Sequence, residues 1–355
     1  MLNFTKTEVM GLDIGSSAVK AVQLRKDNTG YTVTAAGIAE IAPDASSCET
    51  NGGDEGNNHH RKTNTLKAIH ECFKSAGSKT KFAVCGLSGP EVAVRDFEFP
   101  SLSTSEIEGA ILLEASQVCP FNTANSAIDY HLIPDGDDKT RGILVAATNA
   151  LIQNKVQLAK EATLKCVLMD VEGLALLNCF EDLANESEKS TTAILNVGGS
   201  GTTVAIMSGN SRPFIRDMTF AGDDIIKQIA ADKGMSIEDI KGILSGDSNR
   251  HGQAQVELRD SLEKSCQKLI VDVSETLRYY ATQKKSTPVK KIFVCGGFAL
   301  TKGFVELLNN RLGVEAVLWN PFEKMRCDTA QQLGDIIEKR GPALAVAAGL
   351  AMRSV

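Results

Sequence analysis

Apolar and polar positions divide this chain into strand-sized and helix-sized pieces, and two of the pieces share one design. Met10 to Leu24 (MGLDIGSSAVKAVQL) is an apolar run ending at Asp13, a turn through Gly15, Ser16 and Ser17, and a second apolar run containing Lys20. That pattern predicts a tight β-hairpin. TTAILNVGGSGTTVAIM repeats it about 180 residues later, with Asn196 before a turn through Gly198, Gly199, Ser200 and Gly201, then Thr202. Alternation over Tyr31 to Ile41 adds a third strand to the first hairpin. Leu66 to Gly77 has helical spacing, and Phe82 to Leu87 reads as a short buried strand.

A different unit starts near Val92. VAVRDFEFP is a strand, Ser103 and Glu106 form a capping box for a helix over Ser105 to Val118, and two more strand patterns flank the turn PDGDDKTRG before a helix to Ala162. The expectation is a small inserted α/β subdomain. CVLMDVEGLALLNC then joins a strand to a helix at Glu172 and Gly173. Later come a helix after Gly222, a long helix over Val256 to Thr282, and IFVCGGFALTKGF, with Gly296 and Gly297 directly after an apolar strand. GPALAVAAGLAMR ends the pattern with Ala343, Ala347 and Ala351 on one face, suited to a close helix crossing.

Composition narrows the class. With 355 residues and 43% hydrophobic content the chain is long enough for two lobes with their own cores. A formal net charge of −6 and the lack of a basic stripe with aromatics argue against nucleic-acid binding. Nine cysteines stand singly, without metal-ligand spacing, and read as buried thiols in a reducing compartment. No apolar run approaches the roughly 20 residues of a bilayer span, and MLNFTKTEV is not a signal sequence, so a cytoplasmic protein is expected. Residues 43–65, rich in Asn, Gly, Ser and Asp, are too polar to fold alone; His59 and His60 lie there without ligand spacing.

The hairpin turns carry the candidate chemistry. Gly15 lets backbone approach a ligand, while Ser16 and Ser17 supply amide and hydroxyl donors for anionic oxygens. Asp13 could hold a hydrated magnesium ion and Lys20 could neutralise phosphate charge. An ordinary polar turn explains each hairpin equally well alone; two of one construction favour a duplicated phosphate clamp.

LDIGSSAVK, DVEGLAL, NVGGSGTTV, VCGGFA and GPALAVAAGLAMR, in that order, resemble the five motifs of the actin, hexokinase and sugar-kinase superfamily. RDFEFPSLSTSEIEGAILLEASQVCPFNTANSAIDYHLI further resembles the inserted subdomain of PilM-type proteins, the actin-like components of type IV pilus and related secretion platforms, themselves similar to FtsA. The resemblance implies an α/β actin-like ATPase fold: two lobes with mixed sheets, a first subdomain over 1–91, an inserted FtsA-like subdomain over 92–168, a second lobe over 169–340 and a C-terminal helix over 341–355. It implies ATP and Mg2+ in the cleft, held by Asp13 (also the metal contact, through water), Gly15, Ser16, Ser17, Lys20, Gly198, Gly199, Ser200, Gly201 and Thr202. Gly222, Gly296, Gly297 and Phe298 would border the nucleoside. Glu172 and Asn196 would be the catalytic positions. Asn196 replaces the family's usual Asp, and Ile226 and Lys241 stand where other adenine-side contacts are expected, so weakened magnesium binding and little or no turnover are expected. The implied partner is the short cytoplasmic tail of a PilN-like membrane protein, in a groove bordered by Ile107, Ile111, Phe121 and Ile128. Self-association is a further possible contact, and an FtsA- or MreB-like filament-forming ATPase and a small-molecule kinase of the sugar-kinase superfamily are the alternative functions.

Overall fold

The computed structural model describes residues 8–43, 54–133, 139–184, 191–208, 212–245, 258–283, 286–328 and 331–353. The turn within PDGDDKTRG, the polar stretch before Thr191, most of the loop following Ser245 and residues 44–53 of the polar insertion lie outside them.

Three sheets organise the chain. The first has six strands and the second five, the latter edged by β13 (Glu315–Leu318). Their inner parts have one topology. β1 (Met10–Ile14) pairs antiparallel with β2 (Ala18–Asp27), which pairs with β3 (Gly30–Glu40), while β4 (Phe82–Leu87) lies parallel to β1 on its other side. β9 (Thr192–Val197), β10 (Thr202–Met207), β11 (Phe214–Met218) and β12 (Lys291–Cys295) repeat that arrangement. Strands buried on both faces explain the near-continuous apolar runs of β1, β4, β9 and β12.

β5 (Val92–Pro100), β7 (Lys139–Thr148) and β6 (Ser126–Leu132) form the third sheet, with α2 (Thr104–Val118) packed on it. Ser103 N donates to Glu106 Oε2 at 2.9 Å, so the capping box forms and α2 starts one residue earlier than expected. β8 (Lys165–Val171) pairs with β4 in the first sheet, so the boundary drawn at 168 falls inside a lobe I strand, and only β5 to β7 build the inserted sheet. α3 (Asn149–Glu161) already packs on lobe I through Leu158 and Ala159. β14 (Arg326–Cys327) likewise pairs with β3, although it comes from the segment assigned to lobe II.

α1 (Asp54–Ala76) begins well before Leu66, which corrects the expectation that 43–65 is unstructured throughout. Buried Ala68, Ile69 and Cys72 anchor its later turns on the first sheet, and a helix once nucleated propagates into a polar sequence at little cost per residue. α4 (Glu172–Leu183) leads from β8 toward lobe II. α5 (Gly222–Lys233), α6 (Ile237–Ser245), α7 (Arg259–Ala281) and α8 (Phe304–Leu312) cover the second sheet. After α9 (Gln331–Arg340), α10 (Ala345–Ala351) is buried along its whole length. Its close crossings use missing side chains: a Cβ on Gly11 of β1 would overlap the Ala347 carbonyl, and one on Gly349 the Ala175 carbonyl of α4.

Candidate functional site: a cleft between two hairpin turns

The turns of the two hairpins are closed alike. Gly15 N donates to Ala18 O at 3.1 Å, and Gly198 N to Gly201 O at 2.9 Å. They face each other and touch: Ser200 N donates to Ser16 Oγ at 3.1 Å. A Cβ on Gly199 would lie 2.9 Å from the hydroxyls of both Ser16 and Ser17, so only glycine permits that approach without displacing them.

Behind the turns lies a cleft of about 830 Å3. It is lined by Asp13, Gly15, Ser16, Ser17 and Lys20 from lobe I, by Asn196 and Gly198 to Thr203 from lobe II, and by Glu172, Gly296 and Gly297. All but two of the expected cofactor and catalytic positions therefore meet in one space. Gly222 and Phe298 do not line it: they pack on each other, with a Cβ on Gly222 falling 2.7 Å from the Phe298 ring. Phe298 is buried edge-on against Phe304, and Gly222 N donates to Gly198 O at 3.1 Å, so both support the second turn from behind.

The partner-groove expectation is corrected at two positions. Ile107 and Ile111 are 7% and 1% exposed, packed with Phe97, Ala115 and Leu144 as the core of the inserted subdomain. α2 turns that face inward because it must cover the three-stranded sheet. Phe121 and Ile128 are half-buried.

Charge in the cleft is tightly paired. Lys20 Nζ donates to Asp13 Oδ2 at 2.8 Å, and both side chains are largely buried. Burial pulls the Lys20 ammonium down, but the Asp13 charge and hydrogen bond outweigh it and hold Lys20 above the ordinary lysine value. Glu172 sits at the mouth of α4, buried, and burial pushes its carboxyl up to about 7; the Asp13 charge adds to the rise, while Lys155 and a hydrogen bond from Ser88 oppose it. A carboxyl poised there can hold or release a proton near neutrality.

Pattern reading missed Lys155, Asp217 and Ser88, among other residues that line the cleft. Lys155 of α3 reaches into the cleft and donates to Ile14 O at 2.7 Å. Asp217 of β11 accepts from Thr203 Oγ1 at 2.6 Å and from Gly89 N at 2.9 Å, and burial raises its pKa. Ser88 lies on the loop between β4 and β5. None lies in a Gly-rich motif. Strand pairing alone brings Asp217 opposite Thr203, which in turn lies opposite Asn196.

Donors, cations and carboxylates in this space fit a phosphate chain with a hydrated divalent cation. Backbone and hydroxyl donors of both turns and Lys155 suit anionic oxygens, and Asp13 and Asp217 can accept from metal-bound water.

Two lobes of one topology with a hairpin turn from each over a shared cleft define the actin-like ATPase fold. A structure of the PilM–PilN type IV pilus biogenesis complex matches it with a TM-score of 0.78 and 22% identity, over 98% of this chain and 99% of that one. The ethanolamine utilization protein EutJ of Carboxydothermus hydrogenoformans matches at 0.56 and 14%, over 98% and 90%. A diol dehydratase-reactivating factor in nucleotide-free form matches at 0.55 and 10%, over 97% and 99%. At these identities the likeness shows the fold. The family model of the type IV pilus assembly protein PilM matches residues 11–355, and the chain belongs to that family.

Proposed function

We propose that this protein is an ATP-binding scaffold of a type IV pilus or related secretion assembly platform, with little or no ATP turnover. The observation that carries the reading is the pair of like-built turns in contact over one cleft lined by both signs of charge. ATP with Mg2+ would supply a charged switch ligand rather than a reacting group. The turns would cradle its phosphates, with Lys20 and Lys155 balancing charge, and Asp13 would hold the hydrated metal. Gly296 and Gly297 would face the nucleoside side. Low turnover is supported by Asn196, which is neutral where hairpin one carries a carboxylate. Glu172 would orient water only in the fraction of molecules where it is ionised.

The partner in this reading is the cytoplasmic tail of a PilN-like inner-membrane protein, lying against the inserted subdomain near Phe121 and Ile128. Family membership supports it. In this reading the protein is cytoplasmic and is held at the membrane through that partner; among the described residues no helix is long and apolar enough to cross a membrane.

The test is titration of the purified protein with a fluorescent ATP analogue, with and without magnesium, beside a phosphate-release assay. Magnesium-dependent binding with release far below the roughly 10 per second of a typical enzyme is expected. No binding at millimolar nucleotide would sink the nucleotide part of the reading. Loss of tail binding in Phe121→Glu, with the fold retained, tests the partner part.

A further inference from the structure

β11 of lobe II lies against β5 of the inserted subdomain, and its two ends make different contacts. At the cleft end, Asp217 takes a hydrogen bond from the hydroxyl of Thr203, beside the second turn, and another from Gly89 N across the lobe boundary. Gly89 belongs to the loop that feeds β5: Val92 N donates to Gly89 O at 3.0 Å, and Thr148 N, at the end of β7, donates to Glu91 O at 3.1 Å. The root of the inserted sheet is thus tied to a carboxylate in the cleft wall.

Just before the other end of β11, Arg212 pairs with Asp96 and Glu98 of β5, reaching Glu98 Oε2 at 3.2 Å. Glu98 also meets Lys139 and Arg141 of β7, and its carboxyl is held down to about 2, first by the Lys139 hydrogen bond and further by Arg141 and Arg212. Arg212 therefore grips the edge strand of the inserted sheet along its length, roughly 17 Å along the chain from Asp217. An extended strand bonded on one side to β10 cannot slide at one end alone.

We infer that β11 is a lever that transmits the state of the cleft to the inserted subdomain, with Asp217 as the positioning residue at the cleft end and Arg212 as the contact that moves the partner-binding sheet. The inference rests on the nucleotide-binding reading above. Arg212 does not line the cleft, so its removal separates transmission from binding.

Hydrogen exchange of the full-length protein, with and without ATP and magnesium, tests this, alongside nucleotide titration of each variant. In the wild type, nucleotide should slow exchange in β5 by about fivefold. Arg212→Ala should bind nucleotide like the wild type and lose most of that slowing. Asp96→Asn, which removes the same contact from the other side, should lose part of it, and Arg212→Lys should recover part. A purely structural role would change basal exchange without abolishing the response to nucleotide. The lever is overturned if Arg212→Ala responds in full, or if nucleotide binds the wild type without altering β5. Failure of the wild type to bind nucleotide would overturn the binding reading itself, and the lever with it.

Discussion

The two hairpins have the same strand pairing but different electrostatics. In the β1–β2 hairpin, register puts Asp13 opposite Lys20; in β9–β10 it puts Asn196 opposite Thr203. The first pair is a buried ion pair closed within one hairpin. The second is neutral, and a carboxylate one strand further out, Asp217, accepts from Thr203 and also from Gly89 N of the other lobe. Lobe I thus keeps its carboxylate for the cleft, whereas lobe II uses its own to reach across. Similar turns can therefore carry different tasks: one is placed to meet charge, the other to report on it.

The largest expected effect comes from making the first hairpin resemble the second. Asp13→Asn leaves the largely buried Lys20 without its counter-charge and should destabilise the protein by about 3 kcal/mol in denaturant titration, the low end for a broken buried pair. Asn196→Ala at the equivalent position should cost only about 1 kcal/mol. Asp13→Asn with Lys20→Thr copies the second hairpin and should recover most of the loss. If the double variant is as unstable as the single one, the ion pair is not what distinguishes the hairpins.

The next effect depends on pH. Glu172, raised to about 7 from an ordinary 4.5, binds a proton in the folded state that the unfolded chain has released. Stability from this group is present at acid pH and falls as pH rises from about 4.5 through 7, by a magnitude on the order of 1 to 3 kcal/mol. Glu172→Gln should flatten that slope, measured as unfolding midpoint against pH. An unchanged slope would mean that the carboxyl is not held protonated beside Asp13.

How much of this was legible in the sequence depends on whether a feature is local. Both hairpins, the capping box at Ser103 and the close crossing of the C-terminal helix follow from short-range pattern, and each is present. Ile107 and Ile111 were placed at the groove by the resemblance alone, and apolar spacing on a helix does not say which neighbour covers it. Asp217, Lys155 and Arg212 were not found because their roles come from strand register and lobe packing, between residues up to 141 positions apart. The helical start of α1 was hidden for a related reason: its polar first turns depend on the anchoring of later ones. Gly222 and Phe298 occupy motif positions, but only three-dimensional packing shows them behind the turn rather than in the cleft.

A smaller effect should separate the turns themselves. Gly199→Ala pushes a methyl toward Ser16, Ser17 and Asp223, whose side-chain ends can move, so stability should change little. The space between the turns would shrink, and nucleotide affinity should fall about tenfold, or 1.4 kcal/mol. Gly15→Ala meets the backbone carbonyl of Ala18 at 3.0 Å within its own hairpin, and should cost stability as well. Equal behaviour of the two variants would remove the asymmetry argued here.

The smallest effect concerns the hydrogen bond between the turns. Ser16→Ala removes the acceptor of Ser200 N, at an exposed position where water can replace it, so the cost to global stability should be at or below about 0.5 kcal/mol. Ser17→Ala is the control, since its hydroxyl has the same approach to Gly199 but not the bond to Ser200. Because the two lobes also share a buried cluster away from the turns, losing the Ser16 bond should ease parting of the turns without loosening either sheet. Hydrogen exchange should then rise at the two turns alone, leaving β1 and β9 as protected as before. Faster exchange spreading into either strand would mean that the turns form one packed unit, and that the hairpins cannot be treated as independent halves of a clamp.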